Sequence, residues 1–226
     1  MNKQKAAGAG VGIVLAALGI WALLRPKPAA AFVGPPPGPD PQWPPQPAPP
    51  PAAGSLPAAI AAAAQAVGLA PWLALATAQV ESGVARLTPN EPDACGFTHY
   101  PMGIKACTVA TVMGRDQEWI RGETAKWEAM SEDLAVQIPA AIGLLKTDYM
   151  TARNLVTAAG RQAGEADVLN LVRMKYQAGN WNNGRAWANG GQLPSWYTAP
   201  YAGTGLSEMQ RWLRAIAQWG GPSFVA

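Results

Sequence analysis

The sequence predicts a mainly α-helical domain over residues 55–226, joined to an N-terminal transmembrane helix by a proline-rich linker. Proline and glycine bracket successive apolar stretches at the spacing of helix starts and stops. No stretch alternates apolar and polar residues for long enough to predict a central sheet. An uncharged run of 19 residues near the N-terminus is long enough to cross a bilayer as a helix. We therefore divide the chain at residues 1–25, 26–54 and 55–226.

The N-terminal segment is interpreted as a retained membrane anchor. Its uncharged run, residues 6–24, has basic residues on both sides. A cleavable signal peptide is the alternative, because the small residues 29–31 resemble a cleavage site. Two charges and two prolines separate that site from the apolar run, which favours the anchor. We expect the long C-terminal part to lie outside the cytoplasm.

The linker, residues 26–54, is expected to be an extended spacer. Half of residues 26–51 are proline. At about 3.1 Å per residue, a polyproline conformation would reach about 90 Å at most. The alternative is a proline-rich ligand for an aromatic groove on a partner.

Six helices are expected in the domain, at residues 57–67, 71–82, 104–113, 133–153, 165–177 and 208–218. Gly68, Gly114 and Gly179 stand where C-terminal caps are expected. The last helix has a capping box, Ser207 with Gln210, and an apolar stripe that places Trp212 in the core. Pro139 should kink its helix or begin a new one. Residues 84–101 are predicted to form a loop.

Charge and composition argue against nucleic-acid binding. The formal net charge is +3, but Lys plus Arg and Asp plus Glu number 13 each after residue 54. The positive excess therefore flanks the predicted membrane span, and the domain has no basic surplus for DNA or RNA.

Cysteine and histidine are too few to predict a metal site. Cys95 and Cys107 could close a loop outside the cytoplasm or remain free thiols inside it, and the sequence leaves both open. The single histidine, His99, is interpreted as a loop residue. No cofactor is expected.

The predicted helix at residues 71–82 contains one acidic residue, Glu81. Pro71 suits its first position and Gly83 its left-handed cap, so Glu81 lies in the last turn. The negative end of the helix dipole and apolar neighbours such as Leu75 and Val80 both disfavour a carboxylate. Glu81 is therefore a candidate general acid, with a solvated helix-end glutamate as the alternative.

Three further motifs follow Glu81 along the chain. Met102-Gly103-Ile104-Lys105-Ala106-Cys107-Thr108 begins a predicted helix, Tyr176-Gln177-Ala178-Gly179 ends another, and Thr198 to Tyr201 reads Thr-x-x-Tyr. In this order the chain resembles the soluble lytic transglycosylases, relatives of goose-type lysozyme that cut peptidoglycan. The resemblance covers roughly residues 57–218.

The resemblance implies a lysozyme-like fold and a role for each matching residue. Glu81 would serve first as acid and then as base on the β-1,4 glycosidic bond, the muramic acid would close a 1,6-anhydro ring, and Tyr176 would donate a hydrogen bond to Glu81 or the substrate. Several positions depart from the family motifs: Gly103 and Ala106 replace glutamine and proline in the second motif, and Lys175 and Gln177 replace alanine and asparagine in the third. The predicted substrate-binding residues are Ser82, Met102, Gly103, Gln177, Gly179, Asn180, Trp181 and Tyr201.

The tryptophan- and asparagine-rich segment that follows Tyr176 could line a glycan groove, because aromatic faces stack on sugars. Its residues are Asn180, Trp181, Asn182, Asn183, Trp187 and Trp196. We expect only one or two of the tryptophans to contact sugar.

Two other functions are considered. A lysozyme-type hydrolase with inverting geometry would need a second acid about 6.5–9.5 Å from Glu81, for which Glu91 and Asp93 are candidates. A glycan-binding or structural membrane protein could keep the fold without activity. The expected partners are peptidoglycan strands and a membrane, with assembly in a virion or in an envelope complex.

Overall fold

The computed structural model describes residues 51–85, 87, 92–160 and 164–223. The predicted membrane helix and nearly all of the proline-rich linker lie outside these residues. Within the described ranges, every helix is too short or too polar to cross a membrane.

The fold is mainly α-helical, as predicted, with ten helices in the described residues and one two-stranded antiparallel sheet. The strands β1 and β2 are Thr98–His99 and Ile104–Lys105, with Thr98 opposite Lys105. The helices are α1 Leu56–Ala66, α2 Pro71–Ser82, α3 Ala106–Val112, α4 Asp116–Ile120, α5 Thr124–Glu132, α6 Leu134–Ala158, α7 Glu165–Ala178, α8 Asn182–Ala188, α9 Ser195–Thr198 and α10 Glu208–Gln218.

Helix ends that depend on local chemistry agree with the sequence. Pro71 begins α2, and Gly83 ends it in the left-handed conformation with φ 68°. Gly179 ends α7 in the same way, with φ 72°. The capping box of Ser207 and Gln210 is present at the start of α10. These signals act within one turn, so the sequence alone identifies them.

Helix α2 lies at the centre of the domain. Residues 73–78 are all buried, and α2 packs against both α1 and α10. Trp212 of α10 is fully buried, as predicted, and its indole N–H donates to the Leu169 carbonyl of α7 at 3.1 Å. Helices α6 and α7 pack against each other. The last turns of α2 and α7 are thereby held by buried helix faces.

Several predicted boundaries are wrong. Residues 104–105 form β2, so α3 begins at Ala106, and β1 lies within the predicted loop. Helix α6 continues five residues beyond Arg153 and passes through Pro139 without a break. Its unbroken course is explained by burial, because Ile138 and residues 140–142 beside Pro139 all contribute to the core.

Strand β1 and four short helices were not predicted as helix or strand, namely α4, α5, α8 and α9, and strand β2 was predicted as helix. Helix α4 has five residues and none of them is buried. Such segments lack a repeating apolar face, which is the main sequence signal for a helix.

His99 is another correction. It lies in β1 rather than in a loop, is 2% exposed, and its Nε2 atom is 2.7 Å from the Glu128 carboxylate. The polar partner on α5 allows an imidazole to be buried here.

Cys95 and Cys107 form a disulfide, which decides the alternative that the sequence left open. The Cys107 amide also donates to the Cys95 carbonyl at 3.2 Å. The bond connects the segment before β1 to the first turn of α3.

Removing the disulfide should lower stability. We expect the Cys95→Ser/Cys107→Ser double variant of the full chain to lose about 2 to 3 kcal/mol of unfolding free energy, because a closed loop of this length restricts the unfolded state. Urea unfolding of both proteins, with and without reductant, measures the change. Reductant should move the wild-type midpoint only; equal midpoints for the two oxidised proteins would contradict the expectation.

Candidate active site

A cleft of about 580 Å³ lies where the end of α2, the β1–β2 pair, the start of α3 and the end of α7 meet. Segments far apart in the sequence therefore form one concave surface. The described residues that line it are Glu81, Cys95, Thr98, Tyr100, Gly103, Ile104, Lys105, Thr108, Leu144, Arg173, Lys175, Tyr176, Gln177, Ala178 and Gly179.

Glu81 reaches this cleft from the last turn of α2 and forms an ion pair there. Its side chain is 18% exposed, and its Oε1 atom accepts a hydrogen bond from Arg173 Nη1 at 2.5 Å. The sequence predicted apolar neighbours that would disfavour the charged form. The expected lack of polar neighbours is wrong, because the Arg173 guanidinium contacts the Glu81 carboxyl group.

Arg173 is shared between two carboxylates. It lies on α7, is 3% exposed, and donates through Nε and Nη2 to Glu208 Oε1 at 2.8 and 2.5 Å. Glu208 is 1% exposed and receives a further hydrogen bond from Arg211 at 3.2 Å. We call Glu81, Arg173, Glu208 and Arg211 the charge chain. Its alternating charges allow two almost fully buried ionic groups to remain paired.

Gly103 makes room for the Glu81 carboxylate. It has φ 66°, and a Cβ atom built on it would lie 2.4 Å from Glu81 Oε2. Any side chain here would require both a left-handed backbone and a displaced acid. The family glutamine expected at this position therefore cannot fit beside Glu81 as it lies.

Tyr176 lines the same cleft, but its hydroxyl has a backbone partner. It donates to the Met102 carbonyl at 2.5 Å. Burial raises the pKa of Tyr176 above its ordinary value, and the neighbouring Glu81 charge raises it further. Tyr176 is therefore a neutral hydrogen-bond donor that fixes the backbone beside Gly103.

Ser82 also acts on the backbone rather than in the cleft. Its hydroxyl lies 3.0 Å from the Ala78 carbonyl and 3.1 Å from the Pro101 carbonyl, and it accepts from the Ala85 amide at 3.1 Å. These bonds connect the end of α2 to the segment that carries Gly103.

The structure brings together some of the predicted site residues and separates others. Besides Glu81 and Tyr176, the predicted residues Gly103, Gln177 and Gly179 line the cleft. Met102 is fully buried, and the Asn180 side chain bonds within its own loop. Ser82, Met102, Asn180, Trp181 and Tyr201 are not among the described lining residues.

Tyr201 belongs to the far side of the charge chain. It is 39% exposed, its hydroxyl is 3.4 Å from Glu208 Oε2, and Arg211 lies over its ring. The tryptophans are likewise outside the cleft lining. Trp181 and Trp187 pack against the core, whereas Trp196 is 39% exposed.

Three charged residues were not predicted to belong to the site: Arg173, Lys175 and Asp148. Arg173 and Lys175 lie just before Tyr176, but nothing in their spacing shows which face of α7 meets the cleft. Asp148 on α6 is almost fully buried, accepts no hydrogen bond at Oδ2, and lies 3.7 Å from Lys175 Nζ. Its desolvation outweighs the attraction of Lys175 and raises its pKa to about 6.

Asp93, a candidate second acid, forms an ion pair and a backbone hydrogen bond outside the cleft lining. Its carboxylate accepts bonds from Lys105 and from the Cys95 amide, and both lower its pKa. Its side chain is 56% exposed and it is not among the described lining residues. Glu91, the other candidate, lies outside the described residues.

No metal site is evident in the described part of the chain, where no three His, Cys, Asp or Glu side chains converge. No family model, curated protein or solved structure matches the chain. The resemblance to soluble lytic transglycosylases therefore rests on the motif residues themselves.

We expect Gly103→Ala to destabilise the protein more than Gly114→Ala. Gly114 has a similar φ of 70° but open space around it, so its substitution tests backbone strain alone. About 1 kcal/mol is expected for Gly114→Ala and about 2 to 4 kcal/mol for Gly103→Ala, where steric overlap adds to the strain. Urea unfolding of both variants checks this, and equal losses would mean that Glu81 moves aside freely.

Asp148 should make stability depend on pH. Its pKa is about 6 in the folded protein, against an ordinary value of 3.8 in the unfolded chain. The protonated carboxyl therefore contributes to the free energy of unfolding in full below about pH 3.8, and this contribution is lost as the pH rises through about 6. The wild type should therefore lose on the order of 2 kcal/mol between pH 4 and 7 relative to Asp148→Asn. Urea unfolding at intervals across this range tests it, with Asp116→Asn as an exposed control. Parallel curves for wild type and Asp148→Asn would refute the assignment.

Proposed function

We propose that this protein is a peptidoglycan lytic transglycosylase that cleaves the β-1,4 bond between N-acetylmuramic acid and N-acetylglucosamine. One observation carries the proposal. Among the described residues that line the cleft, Glu81 is the only carboxylate, and Gly103, Tyr176, Gln177 and Gly179 of the other motifs line the cleft with it. The convergence of these separate segments supports an enzymatic site.

The reaction needs one residue that gives and then takes a proton. The reaction requires the protonated form of Glu81, which donates its proton to the leaving N-acetylglucosamine oxygen as the bond to the muramic C1 breaks. The muramic 6-hydroxyl forms the new bond to C1, and its proton passes to the Glu81 carboxylate. The product is a 1,6-anhydro sugar, and Glu81 returns to its protonated form.

The charge chain positions the acid. Because Arg173 holds Oε1, the remaining oxygen, Oε2, beside Gly103, is the atom we assign to proton transfer. Arg173 also stabilises the carboxylate formed in the first step. Tyr176 and Ser82 hold the backbone beside Gly103 through the Met102 and Pro101 carbonyls. This fixes the cleft wall that contacts the Glu81 carboxyl group.

The single-acid mechanism is preferred to that of an inverting hydrolase. An inverting enzyme needs a base carboxylate across the cleft, and Asp93, the described candidate, is bonded to Lys105. An attack by the substrate's own hydroxyl requires no second acid.

A glycan-binding protein without catalytic activity is the second candidate. The Arg173 ion pair favours it, because a carboxylate that remains paired has no proton to donate. Product analysis separates the functions: new anhydromuramic ends indicate a transglycosylase, new reducing ends a hydrolase, and retention of strands without cleavage a binding protein.

The cellular setting follows from the sequence. The predicted anchor and spacer would hold the domain outside the cytoplasm, at up to about 90 Å from a membrane. We propose a role in local opening of the cell wall, either from a virion membrane or within an envelope complex.

The Glu81→Gln variant tests the proposal. Glutamine keeps the shape of the side chain but cannot donate and recover the proton, so wall cleavage should fall at least about 100-fold. Glu123→Gln, an exposed acid in an ion pair with Lys126, is the matched control and should keep full activity. Circular dichroism should show both variants folded. Undiminished release of anhydromuropeptides by Glu81→Gln would refute the assignment.

A further inference from the structure

The described side chains that line the cleft include more cations than anions. Arg173, Lys105 and Lys175 line it, against Glu81 alone among the described acids. Arg173 is neutralised by its two carboxylate partners. Each of the two lysines also has a carboxylate partner outside the lining, Asp93 for Lys105 and Asp148 for Lys175, so the two differ in how closely they are paired.

Lys175 is the less neutralised of the two within the cleft. Its side chain is 16% exposed, and its counter-ion Asp148 is 3.7 Å away, beyond a normal hydrogen bond. Lys105 is bonded to Asp93, which is exposed and is not among the lining residues. An ammonium group has three donors, so Lys175 has the capacity to bind an anion that enters the cleft.

The position of this charge distinguishes the chain from the family pattern. Lys175 stands where the Ala-Tyr-Asn-Ala-Gly motif has its first alanine, one residue before Tyr176 and two after Arg173. Lys175 and Glu81 line the same cleft, so this cation adds to the recognition of an anionic group that enters it.

We propose that Lys175, assisted by Lys105, forms an anion subsite for a carboxylate carried on the 3-O-lactyl arm of muramic acid. This inference rests on the proposed function, because that substrate supplies such a carboxylate. The group is either the lactyl carboxylate itself, in strands without peptide, or a carboxylate of the attached peptide. The subsite gives the cleft a preference for muramic acid over uncharged amino sugars.

Binding to the full-length Glu81→Gln variant, which should not cut its ligand, tests the subsite. The probes are chito-oligosaccharides, which have no carboxylate, peptide-free glycan strands of similar length, and peptide-bearing strands. The muramic ligands should bind about tenfold more tightly than chito-oligosaccharides, as expected for one charge-assisted contact. Raising the salt concentration should weaken only the muramic ligands.

We define the affinity ratio as the affinity for a muramic ligand divided by that for chito-oligosaccharides. Adding Lys175→Met to Glu81→Gln should bring this ratio close to one, whereas adding Lys175→Arg should retain most of it. Lys146→Met is the control, because Lys146 lies on the exposed face of α6 and bonds the Val67 carbonyl. The muramic ligand whose affinity falls identifies the source of the carboxylate. Equal affinity for all three probes, no binding, or an unchanged ratio in Lys175→Met would overturn the subsite.

The same measurements distinguish this inference from the proposed function. Charge-dependent binding without cleavage by the wild type would retain the subsite and reject the enzyme. Cleavage of muramic strands by the wild type, together with equal affinity for muramic ligands and chito-oligosaccharides, would retain the enzyme and reject the subsite.

Discussion

The site depends on one buried guanidinium. Arg173 connects the acid at the end of α2 to Glu208 at the start of α10, and its own helix, α7, carries Tyr176. Removing a charged group of this depth from water is costly, and the two carboxylates that pair with Arg173 offset that cost. The orientation of Glu81 is therefore set by the docking of three helices rather than by its own turn.

Helix ends and the position of Glu81 in the last turn of its helix could be predicted because they depend on local signals. Pro71, Gly83 and the capping box at Ser207 each act within a few residues, and Glu81 is the only acid in its helix. Arg173 could not be found in this way. Its partners are 92 and 35 residues away along the chain, and one sequence contains no record of which distant charges meet.

Tertiary packing explains the other differences. Pro139 is tolerated because buried neighbours on both sides hold α6 together. The pair of two-residue strands is too short to produce an alternating pattern. The replacement at Gly103 had no evident reason in the sequence, yet the structure supplies one, since the absence of a side chain is what leaves space for the carboxylate.

The late position of Glu208 in the chain has a consequence for biosynthesis. While a ribosome has not yet completed α10, Arg173 lacks its more buried partner and α2 lacks one of the helices that cover it. The acid acquires its final surroundings only after that helix is translated and docked.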